Sequence, residues 1–146
     1  MGGKIPQVVA FSFLVAVLCL GTVAAKSNDR MLAQIPFSFV VRDQEFPAGE
    51  YIVEQINTSH ILLTGPNGQT VITVGYRVQV LKQQDQWQLV FNKYPGDRLF
   101  LSQLWTPGVT GLELAKCSKE RAIVYTTAGP TRIAINLKPV TDKRRG

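Results

Sequence analysis

The side chains best suited to chemistry in this chain are one histidine, two cysteines and a few carboxylates. A thiol nucleophile needs a base beside it, and Cys117 with His60 is the available pair. Nothing in the local sequence orients the two toward each other. A structural zinc site takes about four Cys or His ligands at close spacing, and a lone His60 cannot supply it. Asp43 with Glu45, and Glu50 with Glu54, are the nearest carboxylate sets for acid–base work. Asp43 and Glu45 flank a turn and read as solvated. Glu54 alternates with apolar residues and reads as the wet face of a strand. Asp97 with Arg98 reads as closing a turn. Glycine-rich phosphate loops are absent from the sequence. The expectation is a domain that is not an enzyme, with no catalytic residue, metal ligand or cofactor site to assign.

Aromatic side chains offer the better candidates for binding. Phe37, Phe39, Tyr51, Tyr76, Trp87, Phe91, Phe100 and Trp105 fall in segments that alternate apolar with polar residues. Most read as inward-facing and so as core. A sheet closed into a barrel of about eight strands can instead hold one small apolar cavity. Its expected lining is Phe37, Phe39, Tyr51, Tyr76, Trp87, Phe91 and Trp105.

Period-two alternation dominates from Met31 to about Trp105, which predicts strands. Phe37, Phe39 and Val41 form the inner face of one, with Pro36 at its start suiting a sheet edge. Phe46-Pro47-Ala48-Gly49 turns the chain into a strand over 51–56. Asn57 to His60 is a polar break, and Asn57-Thr58-Ser59 also fits the short glycosylation acceptor pattern. Gly65-Pro66-Asn67-Gly68 is the strongest turn and predicts a hairpin. In the strand over 70–81, Ile72, Val74, Tyr76, Val78 and Val80 share one face. Gly75 is the natural place for a bulge where so long a strand bends between sheets. Trp87, Leu89 and Phe91 alternate in the next strand, and Tyr94-Pro95-Gly96-Asp97 forms a second turn. Leu99 to Trp105 is apolar on both faces, as in a central or covered strand. Ser118 is a candidate N-cap for a short helix near residues 118–125. Ile133, Ile135 and Leu137 alternate in a last strand. Seven or eight short strands with tight turns make an all-β fold, an antiparallel meander closing into a small barrel or sandwich. The absence of helix-length segments between the early strands argues against a parallel α/β sheet.

The N-terminal segment reads as an export signal. Lys4 supplies positive charge, an apolar stretch runs from Val8 to Leu20, and small residues close it at Ala24 and Ala25. A signal core has roughly 7–15 apolar residues, against roughly 18 or more for a spanning helix. The expected organisation is a cleaved signal over 1–25, a disordered segment over 26–33, a single β domain over 34–138 and a basic disordered tail over 139–146. Cleavage before Lys26 removes Cys19 and leaves Cys117 unable to form an internal disulfide. The chain has a formal net charge of +6. Its one basic run, Lys143 to Arg145, is too small to mark a nucleic-acid binder. Membrane contact is expected through the signal segment only, if uncleaved.

Several segments read together carry a resemblance. They are Ile35-Pro36-Phe37-Ser38-Phe39, Phe46-Pro47-Ala48-Gly49-Glu50-Tyr51, Leu89 to Tyr94, Gly96 to Leu101, Trp105 and Ser118-Lys119-Glu120-Arg121. The order resembles a group of small exported β-rich proteins, mostly of soil bacteria, with a PFxF … PAGxY … LVFxxYG(D)xxFL … W … SxxER pattern. It spans most of Gln34 to Arg121, and Pro95 departs from it by entering before the glycine. The resemblance implies an exported β-rich domain and carries no catalytic residues to transfer. The leading expectation is an exported domain, periplasmic or secreted, that binds a small apolar ligand or an envelope partner. The alternatives are a structural or adhesive envelope module acting through a sheet edge and, third, a hydrolase-like enzyme. Expression of the full chain in an exporting bacterium is expected to yield a mature protein beginning at Lys26. Its intact mass checks this.

Overall fold

The computed structural model describes residues 29–126 and 128–140. The segment read as an export signal, the basic run and Thr127 lie outside the described residues. The fold is all-β with one short helix. In chain order the strands are β1 (Arg30–Ile35), β2 (Phe39–Val41), β3 (Gln44–Phe46), β4 (Gly49–Gln55), β5 (His60–Thr64), β6 (Thr70–Gln84), β7 (Gln88–Tyr94), β8 (Arg98–Trp105) and β9 (Gly108–Leu114). Helix α1 (Ser118–Val124) follows, then β10 (Thr131–Asn136) and β11 (Lys138–Pro139).

The eleven described strands form one sheet, whose main path is β10-β7-β8-β9-β6-β5-β4-β1-β11. β2 lies off the path, antiparallel to β3 and parallel to β8 through the single pair Val40↔Phe100. β6 serves both halves. Its residues from Thr70 to Val74 pair with β5, and those from Gly75 onward pair with β9. Gly75 stands where the partner changes, and its N–H donates to the Ser59 carbonyl at 2.8 Å. A Cβ there would lie 2.9 Å from the Glu113 carbonyl oxygen. The irregularity in the β6 ladder comes later, between Gln79 and Gln84. What Gly75 provides is close backbone approach rather than the expected bulge.

The barrel alternative is corrected. The two ends of the path, β10 and β11, are consecutive in the chain and separated only by buried Leu137. The Leu137 N–H donates to the Trp87 carbonyl, and that of Val140 to the Arg30 carbonyl. The last segment thus leaves the β7 edge for the β1 edge instead of completing a closed ladder. Two expected boundaries move as well. Met31 and Ala33 are buried in β1, so residues 30–33 belong to the domain. Met31 and Leu32 pair with Pro139 and Lys138, which draws the start of the expected tail into the sheet.

One core forms between the two halves of the sheet. Phe39, Tyr51 and Phe91 meet edge to face with ring centroids 5.1 and 5.3 Å apart. Ile35, Val53, Ile61, Leu63, Leu89, Leu101 and Leu104 pack around them. In β8 the register slips so that Val90 faces Gln103 while Phe91 faces Leu101, leaving Ser102 as the extra residue. That bulge lets Leu101 and Leu104 both enter the core and sends Gln103 and Trp105 to the other face. Trp105 then lies across Gly111, where a Cβ would come 2.5 Å from its ring.

Gly111→Ala is therefore expected to destabilise the fold by about 1–3 kcal/mol, as overpacking does. Gly129→Ala, with open space around its Cβ, is expected to change stability by no more than about 0.5 kcal/mol. Denaturant midpoints check both. Equal midpoints would mean that Trp105 moves aside freely.

Candidate functional site

Helix α1 packs on the outer face of the β7–β8 half. Its N-cap residue, Cys117, is extended (φ −75, ψ 172) and makes no side-chain cap bond. The cap comes from elsewhere: the Lys119 N–H donates to Asp43 Oδ1 at 2.8 Å. Asp43 reaches α1 from the two-residue turn between β2 and β3. Arg42 and Asp43 both hold positive φ there, 52 and 65, as a type I′ hairpin turn requires. Neither is glycine, so the backbone is strained. Bonds from both side chains fix it, because the Arg42 guanidinium also donates to the Ile72 carbonyl at 2.9 Å.

Burial and these contacts together set the state of the cysteine. The Lys119 N–H, then the Cys117 thiol, hold the Asp43 carboxyl below its usual value. Burial pushes the Cys117 thiol up, and the neighbouring carboxylate adds to that. An activated nucleophile needs the opposite shift. His60 has its own partners in the polar break, with Nδ1 2.9 Å from Asn57 Oδ1 and 3.1 Å from Ser59 Oγ. It sits in β5 rather than in a loop, and no hydrogen bond joins it to Cys117. The carboxylate sets are separately engaged too. Glu50 accepts from Gln34 at 2.6 Å, and Glu54 pairs with Arg30 at 3.6 Å. Among the described residues no three metal-ligating side chains cluster, and no helix is long and apolar enough to cross a membrane.

A buried polar cluster lies beneath α1. Glu120 is 3% exposed and accepts from Asn92 Nδ2 at 2.9 Å and from the Tyr94 hydroxyl at 2.8 Å. Burial, then the Glu120 contact, raises the Tyr94 phenol far above its usual value. Asn92 Oδ1 is buried without a partner. Phe100 and Ile123 complete this small second core, with Val40 and Cys117 packed against it.

The outer surface beside α1 is apolar. Ile72, Val74 and Tyr76 are 45, 51 and 56% exposed along β6, and Tyr125 after α1 is 85% exposed. This corrects the expected direction of β6. The Gly65–Gly68 turn sets Thr64 opposite Thr70, and the register then places Leu63 and Ile61 opposite Val71 and Thr73. Those pairs face inward, so Leu62 with Ile72 and His60 with Val74 face outward. A groove of about 430 Å³ runs between Tyr76 and α1, lined also by Leu114, Val124 and Tyr125, with Lys116 and Arg121 among its polar members. A second groove of about 560 Å³ opens over Phe39, Phe100 and Ile123, between charges of both signs.

The expected cavity lining is dispersed by this arrangement. Phe39, Tyr51 and Phe91 fill the core against one another. Phe37 is half-buried, edge-on to Phe91 at 5.0 Å. Trp87 is half-buried against the core. Trp105 is buried on the outer face, where its indole N–H donates to Gln103 Oε1 at 2.9 Å. Tyr76 faces solvent, and Glu113 beside it raises its phenol. Sequence reasoning missed Glu120 as a buried group and Asp43 as a cap. Two motif segments, Asn92 to Tyr94 and Ser118 to Arg121, held the signal for Glu120. Their polar members meet in one cluster.

The fold and site define a small all-β domain with a helical cover and an apolar outer groove. The chain matches no protein-family model, no curated protein and no solved structure.

The Asp43 cap has a pH signature. A carboxyl whose folded value is depressed adds stability that is full above its unfolded value and is lost as pH falls through the folded one. The α1 amides are thus expected to stay protected down to about pH 3.8, the ordinary aspartate value, and to open only below it. Amide exchange against pH reads this, and Asp43→Ala should open α1 at every pH. Tyr94→Phe removes one of two observed donors to Glu120 and is expected to lower stability by about 1.5–3 kcal/mol. An unchanged denaturation midpoint would place that bond's net contribution near zero.

Proposed function

We propose that this chain is an exported, non-enzymatic β domain that binds an apolar or amphiphilic partner of the cell envelope on its outer face, over β6 and α1. The carrying observation is the β6 alternation, which turns Ile72, Val74 and Tyr76 to solvent beside the exposed ring of Tyr125. Soluble domains rarely leave contiguous apolar area of this kind bare without a partner. The groove beside it has the concave shape that such a partner needs. The aromatic core supports an external site over an internal one, since its rings lie on each other. The export segment in the sequence supports the envelope as the compartment.

Nile red, an uncharged apolar dye, tests the face. The purified protein is expected to shift its emission to the blue on binding. The paired substitutions Val74→Thr and Tyr125→Ser, both at exposed positions, are expected to weaken binding at least about five-fold, as loss of two apolar contacts implies. Binding unchanged in that variant, or no binding at all, would sink the proposal.

A further inference from the structure

The exposed apolar face has three cations at its rim. Arg42 is fixed at its edge by the bond to the Ile72 carbonyl. Lys116 and Arg121 line the groove with Tyr76, Val124 and Tyr125. The Arg121 guanidinium donates to the Lys116 carbonyl at 2.8 Å and to Ser118 Oγ at 3.3 Å, both neutral acceptors. Among the described residues, the two ion pairs are Arg30–Glu54 and Lys93–Asp97, so none of these three cations pairs with a carboxylate. The carboxylate in the groove, Glu113, is already engaged. It accepts from Gln103 Nε2 at 3.0 Å and from the Tyr76 hydroxyl at 3.3 Å.

Unpaired cations around exposed aliphatic and tyrosine side chains fit an anionic bilayer. Apolar groups enter the acyl boundary, Tyr rings favour the headgroup level, and Lys or Arg attract anionic lipid. The outer face of the β1–β4–β5–β6 half carries further aliphatic side chains, interrupted by Glu50 and Glu54 of β4. Leu32 stands opposite Ile52, and Leu62 opposite Ile72, on that side of the sheet. A second copy fits less well, because two such faces in an isologous dimer would bring cationic rim toward cationic rim.

We infer that the β6–α1 face docks on an anionic lipid bilayer, with Ile72, Val74, Tyr76 and Tyr125 at the acyl boundary and Arg42, Lys116 and Arg121 on the headgroups. This rests on the apolar-face reading above and names its partner.

Flotation with vesicles tests it, using phosphatidylcholine alone and an equal mixture with phosphatidylglycerol. The chain beginning at Lys26 is used, so that the apolar export segment does not insert by itself. Binding is expected to the anionic vesicles and to weaken as salt rises. Lys116→Gln with Arg121→Gln should weaken it about ten-fold or more, at roughly five-fold per cation near an anionic surface. Val74→Thr with Tyr125→Ser should weaken it as well. Replacing Lys143, Arg144 and Arg145 by Ser separates attraction by the tail. Loss of binding in that variant, with the groove variants unaffected, would overturn the inference. So would equal binding to both vesicle types, or Nile red binding without vesicle binding, while the apolar-face reading survived. Failure of the dye and of both vesicle types would end both.

Discussion

The fold depends on one strand serving two halves of a sheet. β6 is 15 residues long, and its partner changes from β5 to β9 at Gly75. Two backbones approach that glycine, one from Ser59 and one from Glu113, and a side chain would block the second. The change of partner lets one continuous sheet bend over a single core without a separate corner segment. It also fixes which side of β6 is inside. With the hairpin to β5 in register, the side carrying Val71, Thr73 and Gly75 must face the core. The larger apolar residues are left on the outside.

Helix α1 is held in a complementary way. At 7 residues it is too short to persist alone in water. Its anchors come from distant parts of the chain: Asp43 at its N-terminus, Asn92 and Tyr94 below Glu120, and Phe100 against Ile123. Polar bonds set its position and a small apolar cluster supports it. Two further bonds, to the Ile72 and Lys116 carbonyls, hold Arg42 and Arg121 beside the exposed face. The charge pattern of the proposed binding surface is thus tied to the packing of the helix.

An interior filled by its own aromatics and an exterior with bare aliphatic side chains point the same way. Phe39, Tyr51 and Phe91 occupy the volume that a closed barrel would leave to a ligand. Binding on the outside leaves that core undisturbed. It also draws on residues whose replacement changes few internal contacts, since Val74, Tyr76 and Tyr125 are exposed.

The sequence by itself determined the local structure. Alternation and turn residues marked most of the strands, the Gly65–Gly68 hairpin and the short helix, because backbone propensity and turn chemistry act over a few neighbours; β1 fell largely in the segment read as disordered. Leu89 and Phe91 were read on the inner face and lie in the core. Where alternation met a long-range constraint, the pattern failed. Tyr76 faces outward because a register set at a distant turn, and not its own apolar row, decides the face of β6. Trp105 faces outward because one extra residue at Ser102 reverses the alternation. Asp43 read as a solvated charge, and nothing in its own segment marked Glu120 as buried, until the tertiary structure brought the first turn of α1 to the one and Asn92 and Tyr94 to the other. Pairing across the sheet is a property of two segments at once, and no single segment carries it.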